Sequence, residues 1–247
     1  MGEQVTIERR FRGPPSSAHG GYACGLAAVH LDARVASVSL RHPPPLETPL
    51  TVRHDADSRI SLLDGERVIA EAEPAELSVE IPAIVSAAEA EAASVQNPWT
   101  DKHPFPGCFG CGPDRDPSEA IRVIPGEVPE RDVFADSWTP DPSLADDDGQ
   151  VSKLFTWAAL DCPTAAPAIA PGSGPHVLAR LTADPELAPI MAGEKHIVVA
   201  WLIERGERKS RGGAVIFKLD GTPCAVSEGL WIKLRDPSVV EARTEFP

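Results

Sequence analysis

The sequence predicts an α+β fold made of one unit written twice, each unit an antiparallel sheet around a single helix. Three observations predict it. Short segments with period-two alternation recur along the chain, and two segments carry helical spacing. Each helix is followed by strands that lead to a related tract, LLDGERVIAEAE at 62–73 and KLDGTPCAVSE at 218–228. Strand, helix, then three or four antiparallel strands with a Leu-Asp-Gly turn thus occur twice in the same order, and duplication is the simplest account. The boundary is expected near residue 97, giving units at 1–96 and 97–247.

Segments 34–40 (RVASVSL), 49–54 (PLTVRH) and 67–73 (RVIAEAE) alternate apolar and polar residues, as strands with one wet face do. Residues 196–203 (HIVVAWLI) form a near-continuous apolar run, which predicts a strand covered on both faces; further strands are expected at 213–219 and 223–233. Residues 18–31 place Tyr22, Leu26, Val29 and His30 on one helical face, and residues 151–162 do the same with Leu154, Trp157, Ala158 and Asp161. The 26 prolines cluster at 43–45, 97–117 and 163–175, and exclude long helices there. Asp161 is therefore expected at a helix C-terminus, where the dipole opposes a carboxylate by about 0.3–1 kcal/mol. An unfavourable placement of this kind points to use. Residues 76–96, rich in Ala, Glu, Ser and Val, are expected to be a linker with some helical tendency.

With 247 residues, 42% of them hydrophobic, the chain can bury a core as one large domain or two small ones. A net charge of −14 disfavours nucleic acid and anionic lipid as partners. No stretch is long and apolar enough to span a membrane, and the N-terminus MGEQVTIERRFRG is too charged for a signal peptide, so a cytoplasmic location is expected. The densest basic stretch is ERGERKSR at 204–211, a predicted hairpin turn carrying Arg205, Arg208, Lys209 and Arg211.

Five cysteines, at 24, 108, 111, 162 and 224, are an odd number and argue against a disulfide framework. Cys108 and Cys111 have metal-ligand spacing with His103 nearby, but zinc would need further ligands from a second pair that the sequence does not show. The expectation is a tight turn packing two thiols, with no metal and no cofactor.

The tract PGCFGCGPDRDPSEAIRVIPG at 106–126 resembles the opening of hotdog-fold thioesterase-like domains of the phenylacetate-pathway type. His19-Gly20-Gly21 resembles the His-Gly-Gly that opens the central helix in that family, and Leu160-Asp161 the Leu-Asp that follows. As two tandem units the likeness covers most of the chain and resembles double-hotdog acyl-CoA thioesterases. It implies two sheets, each wrapped around its central helix, joined edge to edge. A single unit leaves an open sheet edge, and a covalent tandem supplies the pairing that a dimer would otherwise give. The resemblance also leaves room for a homodimer of such tandem chains.

By the same resemblance, amides at the helix start polarise a thioester carbonyl while a carboxylate two turns later activates water or attacks directly. The first half carries His19, Gly20 and Gly21 but has Ala28 at the carboxylate position. The second has Asp161 but Ser152, Lys153 and Leu154 in place of His-Gly-Gly. One composite site is therefore implied, with Asp161 as base or nucleophile, Gly20 and Gly21 as oxyanion donors, and His19 setting the start of the helix. The substrate implied is an acyl-CoA or related thioester; the basic turn, a charge run that would ordinarily face water, is the place where Arg205, Arg208, Lys209 and Arg211 could hold its phosphates. Ser227 stands where such enzymes can carry a water-holding Gln. Because neither half is complete, a non-catalytic thioester-binding protein is the alternative. A hydratase or dehydratase is a weaker one, since no Asp and His stand at the spacing expected of hotdog hydratases.

Overall fold

The computed structural model describes residues 2–97, 103–170 and 172–236. The expected boundary at residue 97 adjoins residues 98–102, which lie outside the described residues, as do 171 and 237–247 of the expected second unit. In chain order the elements are β1 (Gln4–Thr6), α1 (Gly20–Ala28), β2 (Ala36–Leu40), β3 (Pro49–His54), β4 (Ile60–Asp64), β5 (Arg67–Pro74), α2 (Ala87–Val95), β6 (Gly126–Glu127), β7 (Phe134–Trp138), α3 (Lys153–Ala168), β8 (His176–Asp184), β9 (His196–Arg205), β10 (Lys209–Lys218) and β11 (Pro223–Lys233).

All eleven strands form one antiparallel sheet in the order β1-β3-β4-β5-β2-β8-β11-β10-β9-β7-β6. The two Leu-Asp-Gly tracts make equivalent hairpins, β4 to β5 and β10 to β11, and in each the glycine takes a positive φ (Gly65 at 59°, Gly221 at 88°) that a turn of this kind demands. The first-half strands meet the second-half strands at β2 and β8, where Val38 pairs with Leu181. In β9 the first five residues are buried on both faces, as the apolar run predicts, because α3 covers one side and α2 packs toward the other.

The strands at 34–40, 49–54, 67–73, 196–203, 213–219 and 223–233 form where their patterns predict them. Residues 76–86 carry neither helix nor strand, and Ser86 then caps α2 through a reciprocal capping box with Glu89. Ala90 and Ala93 of α2 then pack against Val128, Ala135 and Val199.

Two helical expectations are corrected. Tyr22, Leu26, Val29 and His30 do not form one buried face: Val29 is 41% exposed, while Ala23, Cys24 and Ala27 are fully buried. A central helix of small residues is enclosed on several sides, so its periodicity carries little signal. The second correction concerns Pro163 and Pro167, which do not end α3 but lie inside it. Each proline removes one helical N–H. Side chains fasten this stretch instead: Thr164 Oγ1 donates to the Asp161 carbonyl at 2.7 Å, Ser227 Oγ to the Leu160 carbonyl at 3.0 Å, and Arg205 Nη2 to the Pro167 carbonyl at 2.6 Å. Asp161 thus lies mid-helix, away from the negative end of the dipole.

Candidate functional site

The helices α1 and α3 cross closely because glycine lines the contact. A Cβ on Gly21 would stand 2.5 Å from Asp161 Cβ and 2.7 Å from the Trp157 carbonyl oxygen, and one on Gly25 2.8 Å from Trp157 Cβ. Going forward from Gly21 to Gly25 along α1 moves backward from Asp161 to Leu154 along α3, so the two helices run antiparallel. His19 and Ser152 occupy the same place in the two halves, each the N-cap of its helix.

This crossing brings His19, Gly20, Gly21 and Asp161 together across the chain. The Gly21 N–H donates to Asp161 Oδ2 at 2.6 Å, His19 Nε2 lies 3.2 Å from the same oxygen, and Asp161 Oδ1 is buried with no hydrogen-bond partner. The Gly20 position approaches Asp161 Oδ2 and is covered by Leu178. Both His19 and Asp161 are only 2% exposed. Burial raises the Asp161 pKa to about 6, against the pull of His19 and the Gly21 N–H. Burial pulls the His19 pKa down, but the charges of Asp161 and Cys108 outweigh it and the net shift is upward. The surroundings are aromatic, with Phe11 stacked on Tyr22 at 4.0 Å and Phe109 edge-on to both Phe11 and His19.

Three thiols that the sequence left unconnected also converge here. His19 Nε2 is 3.2 Å from Cys162 Sγ, and the candidate ligand atoms of His19, Cys108 and Cys162 lie within 4.8 Å of one another. Cys111 follows in the same turn as Cys108, and His103 Nε2 lies 3.2 Å from its Sγ. Hydrogen bonds from Cys111 and Cys162, with His19 behind them, hold the Cys108 thiol well below its usual pKa, while Cys111 and Cys162 are pushed up. The sequence signal for this cluster was available: Cys162 directly follows Asp161, so whatever brings Asp161 to His19 also brings a thiol. All five cysteines are free.

The remaining candidates stand elsewhere. Ser227 is fully buried in β11, and its hydroxyl holds the Leu160 carbonyl of α3. The basic stretch does form the β9 to β10 turn. Arg211 is bound to Glu228 by two hydrogen bonds, at 2.8 and 2.7 Å, and lies 3.5 Å from Glu204, while Arg208 and Lys209 are exposed.

No protein-family model and no curated protein matches the chain in sequence. Solved structures do match its fold. The tesB protein of Mycobacterium avium subspecies paratuberculosis superposes with a TM-score of 0.60 at 12% identity, over 93% of this chain and 91% of that one. An acyl-CoA thioesterase II of Mycobacterium marinum gives 0.54 at 13% identity, over 94% and 92%. A hot dog fold protein of unknown function from Alicyclobacillus acidocaldarius gives 0.54 at 10%, over 94% and 93%. At such identities the likeness establishes the fold, which is the hotdog fold. No described helix is long and apolar enough to cross a membrane.

Proposed function

We propose that this hotdog-fold chain is two tandem hotdog units, 1–96 and 97–247, joined edge to edge through β2 and β8, and that it hydrolyses an acyl-CoA or related thioester in the cytoplasm at one composite site between them. The repeated order supports the tandem reading: β1, α1, β2, β3, β4, β5 is matched by β7, α3, β8, β9, β10, β11. The observation that carries the functional reading is the 2.6 Å contact between the Gly21 amide at the start of α1 and the Asp161 carboxylate of α3. It joins an oxyanion donor from one half to a carboxylate from the other, while the opposite pairing offers Ala28 and Lys153. The likeness to an acyl-CoA thioesterase II in fold points the same way.

In this reading the thioester carbonyl lies against the Gly20 and Gly21 amides, whose N–H groups and the positive end of α1 stabilise the oxyanion. Asp161 takes a proton from water, or attacks the carbonyl carbon itself and is freed by water afterwards; the thiolate of the carrier leaves. A carboxylate raised to about 6 is a stronger base than a solvated one and still ionised at neutral pH. As Asp161 takes up the proton its hold on the Gly21 N–H weakens, which releases that donor to the developing oxyanion. The substrate carbonyl reaches Gly20 by displacing Leu178. His19 sets the start of α1 by accepting the Tyr22 N–H. The nucleotide phosphates fall to Arg208 and Lys209 on the β9 to β10 turn, with Arg205 and the paired Arg211 behind them, and Ser227 acts through its hold on Leu160.

Free CoA release from a panel of acyl-CoAs, followed with a thiol-reactive dye, tests this. Asp161→Asn is expected to lose turnover by at least about a hundredfold, in the range a positioned general base supplies, with its circular dichroism unchanged. Turnover equal to the parent protein would sink the assignment. One observation favours a second reading, binding without hydrolysis: Asp161 and His19 are each 2% exposed. Thermal stabilisation by acyl-CoAs with no CoA released would select it.

A further inference from the structure

We propose that His19, Cys108, Cys111 and Cys162 form a structural site for a zinc-like borderline metal ion that pins the 103–112 loop to both α1 and α3. Its ligands come from three separate segments: the N-cap of α1, the Cys108-Phe109-Gly110-Cys111 turn, and the middle of α3. Candidate ligand atoms of His19, Cys108 and Cys162 are mutually within 4.8 Å; Cys111 lies outside that group, in the same turn as Cys108, and would complete the shell by a shift of its thiol. One imidazole and three thiols are a complete tetrahedral set for zinc.

Gly110 lets the turn close on the other two ligands: a Cβ at this residue would lie 2.3 Å from His19 Nε2 and 2.8 Å from Cys162 Sγ, closer than a side chain allows, so only glycine brings Cys108 this near to both. The sulfurs also have an outer shell. His103 Nδ1 accepts the Phe105 N–H at 3.0 Å, which leaves the proton on Nε2, 3.2 Å from Cys111 Sγ, so the ring donates to that sulfur.

Ligation releases the three thiol protons to solvent. The His19 Nε2 proton passes to Nδ1, so in the loaded protein the ion takes over from the 3.2 Å Tyr22 N–H bond in fixing His19 at the start of α1. With four protein ligands the ion has no open position, so its work is to hold the loop rather than to bind substrate. The site stands whether or not Asp161 is a hydrolytic base, and its test reads binding alone.

The full chain, stripped of metal by a chelator under reducing conditions, is titrated with Co²⁺. One equivalent per chain is expected to give thiolate-to-cobalt charge-transfer absorption and visible bands of tetrahedral strength, both displaced by Zn²⁺. Cys108→Ser and Cys162→Ser should each weaken binding at least about tenfold, and Cys224→Ser, outside the cluster, should leave it unchanged. Gly110→Ala keeps every ligand but forces the turn away from His19 and Cys162, and should also lose the cobalt spectrum. If that variant does not fold, the two serine variants decide. Absence of the charge-transfer band in the parent protein, or a band of undiminished strength in Cys162→Ser, overturns the site.

Discussion

Asp136 shows how a single buried carboxylate sets a pH dependence. Its Oδ2 accepts the Ile124 N–H at 2.6 Å and its Oδ1 the Ser137 N–H at 2.8 Å, which ties the stretch before β6 to β7. Burial nevertheless dominates these hydrogen bonds and raises its pKa from 3.8 to about 6. The sign follows from proton counts. Between about pH 4 and pH 6 the folded chain holds a proton that the unfolded chain has released, so stability falls as pH rises through that window and levels off above it. At about 1.4 kcal/mol per pH unit the fall is about 3 kcal/mol. Asp161, raised to the same value, adds a like slope, so urea unfolding across this window should show a slope in the parent that is shallower by about 1.4 kcal/mol per pH unit in Asp136→Asn. Equal slopes would mean that Asp136 is ionised in the folded state at all these pH values.

At the scale of elements, α3 is the piece on which the site depends, and two glycines seat it. A Cβ on Gly212 of β10 would stand 2.1 Å from the Thr164 carbonyl oxygen, and one on Gly229 of β11 2.2 Å from Thr164 Oγ1, which also accepts the Trp231 Nε1–H at 2.8 Å. Gly229→Ala should therefore lift α3 from the sheet and cost about 1–3 kcal/mol, the usual price of overpacking, read as a lower urea midpoint. A midpoint unchanged from the parent would show that this contact is loose. The strands were legible because alternation is written locally, whereas α3 was read as ending at Cys162. Pro163 and Pro167 are sound local evidence against a helix, but Ser227 and Arg205, which fasten this stretch to the sheet, lie over 35 residues further along the chain. The site was legible to the same depth. His19, Gly20, Gly21 and Asp161 could be proposed together through the repeat, while the convergence of Cys108, Cys111 and Cys162 depends on α1 and α3 crossing through glycine, which no local pattern records.

The whole molecule is held at the β2 to β8 junction, since among the described residues five strands of the first half and six of the second share one sheet only through that pair. The register sets Val38 opposite Leu181, both fully buried, and Leu181 lies opposite Gly229 on its other side. A cross-half contact between α1 and α3 lies beneath the same junction, where Leu178 covers Gly20. A chain built this way has no boundary along which one half can unfold and leave the other intact: opening either would expose a sheet edge and one face of a central helix together. Leu181→Ala removes side-chain volume at the centre of this seam and should cost about 2–5 kcal/mol. The loss should reach both halves. Amide hydrogen exchange at Val52 and Leu62, in β3 and β4, should accelerate by the same factor as at Val199 and Val215, in β9 and β10, because all four then exchange through one global opening. Acceleration confined to one pair would show that the halves open independently, and that the contact between α1 and α3 can come apart without unfolding the whole chain.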